Sequence, residues 1–344
     1  MRQKLLPHHP LHHAHTHDAR PFSGYAVKRP ALITHSSSTP MTDTSIARYC
    51  VIGHPIAHSR SPWIHARFAE QTGQSISYEA IDSPPDAFAA TLQRLKKAGY
   101  AGCNVTVPFK HEAFAAAQSH TPRATLAQAA NTLVWQRVPG KRSLVLHADN
   151  TDGPGIVRDI VFNAGFVFGR LHLLLLGAGG AAAGVLNALI AICPASVTVA
   201  NRNLDKARTL IERHYDWANM HSVALHACTL DEALLGSTAD GPATFDLVIN
   251  ATSSSLQNEP LTFPAEKISA NGMLYDMMYG AAAQPFLQSI DRTKRPDIKV
   301  RDGLGMLVEQ AALSFSVWRD VRPRTAQILA ELRALVDAET PPAA

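Results

Sequence analysis

The feature that most constrains the fold is a glycine-rich turn between an apolar run and a helical stretch. Residues 171–176 read LHLLLL, which is typical of a strand buried on both faces of a parallel sheet. The next six residues read GAGGAA, and a helix is predicted from there to about residue 192. This is the G-x-G-x-x-A pattern in its required strand–turn–helix context. Its glycines permit a tight turn and let backbone N–H groups approach a pyrophosphate. It therefore predicts a nucleotide-binding domain whose phosphate contacts are Gly177, Ala178, Gly179, Gly180 and Ala181.

The next predicted strand, residues 196–200, ends without the acidic residue common in NAD-binding domains. Asn201 and Arg202 stand there instead, and Lys206 follows. A carboxylate would repel a 2′-phosphate, whereas an arginine pairs with it. These residues therefore predict NADP(H) as the cofactor. The alternative is that Arg202 is a solvated loop residue.

A second constraint comes from residues 104–110, NVTVPFK, in the first half of the chain. The alternation of polar and β-branched residues predicts a strand that Pro108 stops, and a helix is predicted over 109–117. Lys110 then lies just past the carboxyl end of a strand, which is where open α/β sheets bind ligands. Taken alone, the stretch also fits an ordinary strand–helix junction with a solvated lysine.

Two further predicted helices begin with polar residues that are candidates for the functional site. Within HSRSP at 58–62, Ser61 is predicted as the N-cap of a helix running to about Gly73, with Pro62 as its first helical residue. The free N–H groups of such a start suit a substrate carboxylate. Capping alone would explain Ser61 but would leave Ser59 unused. Asp152, in DNTDGP at 149–154, opens another helix either as its N-cap or as a carboxylate that faces a cleft.

Three more polar positions end predicted elements or interrupt them. Asn131 is predicted to end a short helix over 124–130 in the left-handed conformation. Thr252 belongs to a polar stretch, residues 251–255, that follows a strand over 245–250 and is placed to line the cofactor. Gln310 interrupts the apolar face of a long helix that begins near residue 304. The other strands are predicted at 49–53, 75–81, 132–138, 143–148 and 272–276, and the other helices at 85–98 and 325–336.

Taken together and in this order, the motifs resemble the shikimate dehydrogenase family over residues 49 to 318. They are HSRSP at 58–62, NVTVPFK at 104–110, NT at 131–132, DNTDG at 149–153, GAGGA at 177–181, NR at 201–202, NATSS at 250–254, YDMMY at 275–279 and DGLGMLVEQ at 302–310. The resemblance implies NADPH-dependent, reversible reduction of 3-dehydroshikimate to shikimate in aromatic amino-acid biosynthesis.

The resemblance also implies a role for each matched residue. Lys110 and Asp152 would be the catalytic pair, and Ser59 and Ser61 would hold the substrate carboxylate. Asn201, Arg202 and Lys206 would bind the adenosine phosphate, and Met277 and Gly303 would lie near the nicotinamide. The hydroxyls and ring of the substrate would be bound by Asn104, Thr106, Asn131, Asp152, Tyr279 and Gln310. It stays open whether Lys110 donates the proton itself or acts through its charge.

The expected fold is α/β with two domains that flank a cleft. Residues 48–152 would form an N-terminal α/β substrate domain, completed by residues 303–338, and 153–302 a Rossmann-like NADP-binding domain. The C-terminal helices would pack back on the first domain, and the hinge would lie near Gly153 and Gly303. Residues 1–47 are histidine-rich and are predicted to be a disordered tail, with either Met1 or Met41 as the true start; a metal-binding tract is the alternative.

Charge and cysteine usage limit the partners. The net charge of +4 is already present in residues 1–40, so the rest of the chain is neutral, and no basic run with interleaved aromatics predicts nucleic-acid binding. Glycines interrupt the apolar segment 173–193, which argues against a membrane span. Four scattered cysteines fit a cytoplasmic protein, and no metal site is predicted in the fold. The protein would be a monomer or a homodimer. The competing functions are a quinate/shikimate dehydrogenase that uses NAD and a non-catalytic ligand sensor on the same fold.

Overall fold

The structure is a computed structural model that describes residues 46–140, 143–235, 241–252 and 261–339. The predictions for the histidine-rich segment up to residue 45, for the alternative starts and for the serines at 253–255 lie outside these ranges. Within the described ranges the chain forms two six-stranded sheets with helices packed on them. No helix in these ranges is both long and apolar enough to cross a membrane.

The first sheet is mixed and has the strand order β2-β1-β3-β5-β6-β4. Its strands are β1 (Ala47–Gly53), β2 (Ile76–Asp82), β3 (Tyr100–Val105), β4 (Ser119–His120), β5 (Thr132–Gln136) and β6 (Val145–Asp149). β1 runs parallel to β2 and β3, whereas β5 is antiparallel to β3 and β6. The helices of this half are α1 (Ser61–Thr72), α2 (Phe88–Lys97), α3 (Lys110–Ala116) and α4 (Pro122–Ala127). β1 begins one residue inside the segment predicted as a tail.

The second sheet is entirely parallel and has the order β12-β11-β10-β7-β8-β9. Its strands are β7 (His172–Leu176), β8 (Ser196–Asn201), β9 (Ala224–Thr229), β10 (Phe245–Asn250), β11 (Ile268–Asp276) and β12 (Lys299–Asp302). Between them lie α6 (Gly180–Ala191), α7 (Leu204–Arg213), α8 (Tyr215–Met220), α9 (Leu230–Leu235) and α10 (Gln284–Leu287). The chain leaves β7 toward β8 on one side and returns to β10 on the other. Ligands of doubly wound sheets bind at such a switch point.

Helices pack the two halves of the chain against each other. α5 (Asp152–Arg158), which continues into a π-helical turn (Asp159–Asn163), packs against both α6 and α11 (Leu304–Arg319) because its glycines lack side chains. A Cβ on Gly153 would lie 2.8 Å from the Cβ of Ala188, and a Cβ on Gly155 would lie 2.7 Å from the Cβ of Gln310. α11 and α12 (Ala326–Glu339) share a buried core with α1, so the expected return of the C-terminal helices to the first half is confirmed.

The predicted helix boundaries need two corrections. Ser61 is the first helical residue of α1, not its N-cap, and the hydroxyl of Ser59 accepts its N–H at 3.3 Å. Ser59 therefore performs the local bonding that was assigned to Ser61. α4 ends at Ala127, and Gln128, not Asn131, adopts the left-handed conformation, with φ of 47°. The prediction that Asn131 ends the helix was wrong because its side chain makes tertiary hydrogen bonds, and residue preferences at helix ends contain no information about such contacts.

The strand of NVTVPFK also differs from its prediction over 104–107. β3 starts earlier, at Tyr100, and ends at Val105. The chain turns through Val107 and Pro108, where the carbonyl of Thr106 accepts the N–H of Phe109 at 3.0 Å. α3 consequently begins at Lys110 itself.

A buried ion pair fastens the π-helical turn to the second sheet. Asp159 is fully buried and accepts bonds from Tyr275 Oη at 2.8 Å, Arg301 Nε at 2.9 Å and Asn163 Nδ2 at 2.9 Å. Burial, reinforced by the Asp159 charge, raises the pKa of Tyr275 well above its usual value, so its hydroxyl stays a donor.

Replacing Asp159 by alanine is expected to lower the free energy of unfolding by about 3–5 kcal/mol, because the half-buried guanidinium of Arg301 loses its ion-pair partner. Urea denaturation followed by circular dichroism measures this loss. Asp337→Ala, which removes an exposed partner of Arg333 at 3.8 Å, is the matched control and should change stability little. Equal effects of the two substitutions would contradict the assignment.

Candidate active site

Lys110 and Asp152 form a charged pair at the meeting point of the two halves. Each is the first residue of its helix, and Lys110 Nζ donates to Asp152 Oδ2 at 2.6 Å. Their side chains are only 12% and 6% exposed, so the pair is largely screened from water. The carbonyl of Lys110 accepts the N–H of Ala130 at 2.8 Å, which ties the start of α3 to the segment before β5. A short charge-assisted bond between these groups fixes the ammonium in one place.

Asn131 orients the carboxylate of this pair. Its Nδ2 donates to Asp152 Oδ1 at 2.8 Å and also contacts Thr151 Oγ1 at 2.8 Å and Gln310 Oε1 at 3.1 Å. Its Oδ1 accepts the N–H of Thr151 at 2.8 Å. Four predicted site residues, Lys110, Asp152, Asn131 and Gln310, are therefore linked in one hydrogen-bonded group.

Asn104 lies behind this group and is 7% exposed. Its Oδ1 accepts from Tyr78 Oη at 2.8 Å, and its Nδ2 contacts Ser314 Oγ at 3.0 Å and the carbonyl of Asn131 at 3.0 Å. The ring of Tyr78 stacks on His65, with centroids 4.1 Å apart and an interplanar angle of 6°. Burial lowers the pKa of His65 to about 3, so its ring is neutral. Tyr78, His65 and Ser314 are part of the site that the sequence reasoning missed.

Ser61 joins this site through Tyr78. Ser61 is buried near Tyr78, where it opposes in part the burial that raises the pKa of the Tyr78 hydroxyl well above its usual value. Thr106 packs beside the end of β1, where a Cβ on Gly53 would lie 2.5 Å from Thr106 Cγ2. These contacts gather the start of α1 and the ends of β1 and β3.

Tyr279 is half-buried and packs against the core shared by α1, α11 and α12. Burial raises its pKa, which keeps its hydroxyl neutral. Among the described residues, neither Tyr279 nor Thr106 forms a hydrogen bond with Lys110 or Asp152. Their placement in the substrate site therefore stays a prediction.

The glycine turn lies directly against the charged pair. Gly177 has φ of +107°, a conformation that favours glycine, and a Cβ there would lie 3.1 Å from the carbonyl oxygen of Ala251. A Cβ on Gly180 would lie 3.3 Å from the Cβ of Lys110, and one on Gly184 would lie 2.9 Å from Asp152 Oδ2. Gly179 is the N-cap of α6 and offers no side-chain bond to its first N–H groups. Those N–H groups suit the phosphates of a dinucleotide.

The end of β8 carries the residues predicted to recognise NADP(H). Asn201 Nδ2 donates to the carbonyl of Asn203 at 2.8 Å, and Asn203 Oδ1 caps α7 by accepting the N–H of Lys206 at 3.2 Å. Arg202 and Lys206 are exposed. Two basic side chains therefore stand at the carboxyl edge of the sheet, beside the glycine turn.

The ends of β10, β11 and β12 complete this edge. Asn250 Oδ1 accepts from Thr252 Oγ1 at 2.7 Å, and its Nδ2 donates to Asp276 Oδ2 at 3.1 Å. Asp276 is buried, and that burial raises its pKa to about 7 against the effect of its hydrogen bonds. A Cβ on Gly303 would lie 2.3 Å from the carbonyl oxygen of Met277, so these two predicted residues are packed together. Asn250 and Asp276 are supports that the sequence reasoning missed.

The site as a whole brings a fixed ammonium next to the glycine turn. Such an ammonium can stabilise negative charge that develops on a substrate oxygen and can give it a proton. Among the described residues, no group of three or more His, Cys, Asp or Glu side chains is arranged to hold a metal ion.

Three family profiles match the chain. The shikimate dehydrogenase substrate binding domain matches residues 51–133, the shikimate / quinate 5-dehydrogenase profile matches 164–258, and the shikimate 5′-dehydrogenase C-terminal domain matches 303–333. The matched ranges contain Lys110, the glycine turn and Gln310, respectively.

Individual relatives agree with the profiles. The chain is 50% identical over 295 residues to a shikimate dehydrogenase (NADP(+)) of Paracidovorax citrulli, covering 86% of this chain and 99% of that one. It resembles the crystal structure of a shikimate 5-dehydrogenase from Thermus thermophilus in complex with NADP(H) and shikimate, with 31% identity, a TM-score of 0.67 and coverage of 84% and 99%. It also resembles an Ael1 enzyme from Pseudomonas putida, with 36% identity, a TM-score of 0.68 and coverage of 86% and 99%.

Proposed function

The chain belongs to the shikimate dehydrogenase family, and from this premise we propose that its Lys110–Asp152 pair catalyses the NADPH-dependent, reversible reduction of 3-dehydroshikimate to shikimate. The observation that carries the assignment of the pair is the 2.6 Å bond from Lys110 Nζ to Asp152 Oδ2, made in a largely buried position against the glycine turn. The enzyme is an oxidoreductase that acts on a CH–OH group.

NADP(H) fits the carboxyl edge of the second sheet. The open start of α6 at Gly179 and the left-handed Gly177 leave room for phosphates, and Arg202 and Lys206 supply positive charge. When bound, the cofactor supplies the hydride that reduces the ketone carbon. The residues that we assign to its binding are Gly177, Ala178, Gly179, Gly180, Ala181, Asn201, Arg202, Lys206, Thr252, Met277 and Gly303.

Lys110 acts on the ketone oxygen of the substrate. As the carbon is reduced, negative charge develops on that oxygen. The ammonium of Lys110 stabilises this charge and donates the proton that forms the hydroxyl group. Asp152 holds the ammonium in place, and Asn131 holds Asp152 through its 2.8 Å bond. In the reverse direction the neutral amine accepts the hydroxyl proton.

The substrate would be held by the first half of the chain. We assign its carboxylate to the start of α1 with Ser59 and Ser61, where N–H groups and hydroxyls are close together. Its hydroxyls and ring would contact Asn104, Thr106, Asn131, Tyr279 and Gln310. Asn104 is already held by Tyr78 and Ser314, so it would meet the substrate in a fixed orientation.

We propose that residues 48–152 with 303–338 form the substrate domain and 153–302 the NADP-binding domain, with Gly153 and Gly303 at the hinge. The core shared by α1, α11 and α12 supports this division. We also propose that the enzyme works in a reducing cytoplasm. All four cysteines lie in the described ranges as free thiols, and Cys50, Cys103 and Cys228 are buried.

The initial rates with shikimate or quinate, each with NADP⁺ or NAD⁺, test the proposed function against its two rivals. We expect shikimate with NADP⁺ to be the fastest of the four combinations, because Arg202 and Lys206 stand where NAD enzymes commonly have an acid. Faster turnover of quinate with NAD⁺ would favour the quinate/shikimate enzyme. No turnover of any combination by protein that binds shikimate would favour the ligand sensor.

Arg202→Ser is expected to raise KM for NADPH by about tenfold, the worth of one hydrogen bond to a charged group, and KM for NADH much less. Steady-state kinetics with each cofactor measure the ratio. Arg170→Ser is the matched control, since Arg170 is an exposed arginine just before β7, at the opposite edge of the sheet. An unchanged NADPH-to-NADH ratio in Arg202→Ser would remove the case for this residue.

A further inference from the structure

Three neighbouring strands of the second sheet end in polar residues that are in register. Asn250 of β10 is the Cα partner of Asp276 of β11, which is in turn the partner of Asp302 of β12. All three residues are buried. Because acidic side chains are almost never fully buried unless they are paired, the partners of each carboxylate indicate what it does at this edge.

Asp276 differs from Asp302 in its lack of a cationic partner. Asp302 forms an ion pair with Arg333, whose Nη1 donates to Asp302 Oδ2 at 2.7 Å. Burial would raise the pKa of Asp302, but Arg333 holds it below the usual value. Among the described residues, no arginine, lysine or histidine forms an ion pair with Asp276. A carboxylate buried without a counter-ion costs stability, and such groups are concentrated at functional sites.

The hydrogen bonds around Asp276 all run in one direction. Thr252 donates twice to Asn250 Oδ1, from its N–H at 3.0 Å and from its hydroxyl at 2.7 Å. Since a backbone N–H can only donate, it fixes Oδ1 of Asn250 toward itself and Nδ2 toward Asp276. Asn250 Nδ2 donates to Asp276 Oδ2 at 3.1 Å, and the N–H of Met278 donates to Asp276 Oδ1 at 2.8 Å. Asp276 must therefore accept on both of its oxygens.

These bonds join two segments that the proposed function assigns to the cofactor. Thr252 follows β10, and Met277 follows β11. The carbonyl of Asn250 also accepts the N–H of Met277 at 3.0 Å, and the carbonyl of Met278 accepts the N–H of Gly303 at 2.8 Å. A shift at Asp276 would therefore move Thr252, Met277 and Gly303 together.

We propose that Asp276 is a positioning residue, which holds Thr252 and Met277 in place for NADP(H) by accepting hydrogen bonds on both carboxylate oxygens. The inference rests on the proposed function, because that function assigns Thr252 and Met277 to the cofactor. Asp276 acts through these two residues and not on the reacting atoms.

Asp276→Asn keeps the shape of the side chain but supplies a donor where two acceptors are required. If the new amide nitrogen faces Asn250, two N–H groups oppose each other, and if it is turned around, it opposes the N–H of Met278. Rotation of the Asn250 amide relieves the first conflict only by turning Nδ2 toward the N–H of Thr252. Each arrangement leaves a buried donor unpaired, which changes an equilibrium constant by about 10- to 100-fold.

Two measurements on Asp276→Asn test the proposal. Hydrogen exchange of the ligand-free protein, followed by NMR, reports on the amides of Thr252 and Met278. We expect at least one of them to exchange about tenfold faster than in wild type. Isothermal titration should show a Kd for NADPH that is about tenfold higher. KM for 3-dehydroshikimate at saturating NADPH should stay within about threefold, because the substrate is assigned to the other half of the chain.

The matched control is Asp246→Asn. Asp246 lies near the start of β10, at the opposite edge of the same sheet, and its Oδ2 accepts the N–H of His172 at 2.8 Å. An amide oxygen can accept this single bond equally well. Asp246→Asn should therefore leave the Kd for NADPH and both exchange rates within about twofold of wild type.

The double variant Asn250→Asp/Asp276→Asn exchanges the two side chains and restores the direction of every bond. The new carboxylate in β10 accepts from Thr252 and from the new amide in β11, and the oxygen of that amide accepts the N–H of Met278. We expect the Kd for NADPH and both exchange rates to return to within about threefold of wild type. This rescue also supports the proposal if Asp276→Asn alone does not fold.

The proposal is overturned if Asp276→Asn matches wild type in both measurements, or if the double variant is no better than Asp276→Asn. Faster exchange with an unchanged Kd would make Asp276 a structural residue only. A higher Kd with unchanged exchange would mean that Asp276 contacts the cofactor directly, and either result overturns the positioning role. A wild-type protein that does not bind NADPH would instead overturn the proposed function itself.

Discussion

Replacing Lys110 by alanine is expected to lower kcat by about 10²–10⁴, the usual worth of a positioned general acid, with KM for 3-dehydroshikimate little changed. The reason is that the ammonium, held 2.6 Å from Asp152, acts mainly on charge that exists in the transition state. Steady-state kinetics in the direction of ketone reduction measure the effect.

The control for this prediction is Lys96→Ala. Lys96 lies on α2 and donates to the carbonyl of Leu144 at 3.3 Å, away from the charged pair. It should leave kcat within twofold. Circular dichroism and NADPH binding establish that Lys110→Ala remains folded. A kcat for Lys110→Ala within about tenfold of wild type would make Lys110 a binding residue only.

Lys110→Arg separates the two roles of the lysine. A guanidinium keeps the positive charge but is not deprotonated in proteins, so it does not serve as a proton donor. If Lys110 donates the proton, we expect the arginine variant to be nearly as slow as the alanine variant. A rate close to wild type would assign Lys110 an electrostatic role, with water as the proton source.

Asp152→Asn is expected to lower kcat by about 10², because it removes the charge that holds Lys110 while keeping the shape of the side chain. The amide can still accept the 2.8 Å bond from Asn131 through its oxygen. If Asp152 also binds a substrate hydroxyl, KM will rise as well. Kinetics of the single variants and of the double variant with Lys110→Ala measure the coupling.

The double variant shows whether the two residues act as one unit. Groups that act together are strongly non-additive, so Lys110→Ala/Asp152→Asn should be no slower than Lys110→Ala alone, within about threefold. Losses that multiply would mean that Asp152 works independently of Lys110, which would contradict the pair. The matched carboxylate control is Asp149→Asn, since Asp149, at the end of β6, pairs with Arg123 of α4 at 2.6 Å.

The sequence was sufficient to predict the parts of the site that sit at strand ends. Lys110 follows β3, Asp152 follows β6 and the glycine turn follows β7, and the structure brings all three together. Turn chemistry and the alternation of apolar residues are local signals, and they locate such positions well. The resemblance to a family then supplied roles that spacing alone left open.

The supports of the site could not be predicted in the same way, because they depend on contacts between distant segments. Tyr78 stands in a strand that alternates, and nothing local reveals its bond to Asn104. Asp276 looked like an ordinary strand end before the structure placed it against Asn250. His65 did carry a signal: it lies four residues after Ser61 on α1, and that spacing puts both on one helix face.

The elements between β8 and β10 were also left unpredicted. Residues 204–235 form α7, α8, β9 and α9. The short strand β12, which has only four residues and follows β11, was not predicted either. β9 is half exposed, with polar residues among apolar ones, so its periodicity is weak. Two consecutive parallel strands must be joined by a crossover connection, which is usually a helix. This rule would have predicted a helix after β8.

The most direct test of the central claim is the reduction of 3-dehydroshikimate by NADPH, followed by loss of NADPH absorbance with wild type and Lys110→Ala side by side. We expect rapid, substrate-dependent loss with wild type and a rate about 10²–10⁴ lower with the variant, while both proteins bind NADPH. Loss of NADPH at equal rates with the two proteins, or no loss with wild type that binds both ligands, would contradict it.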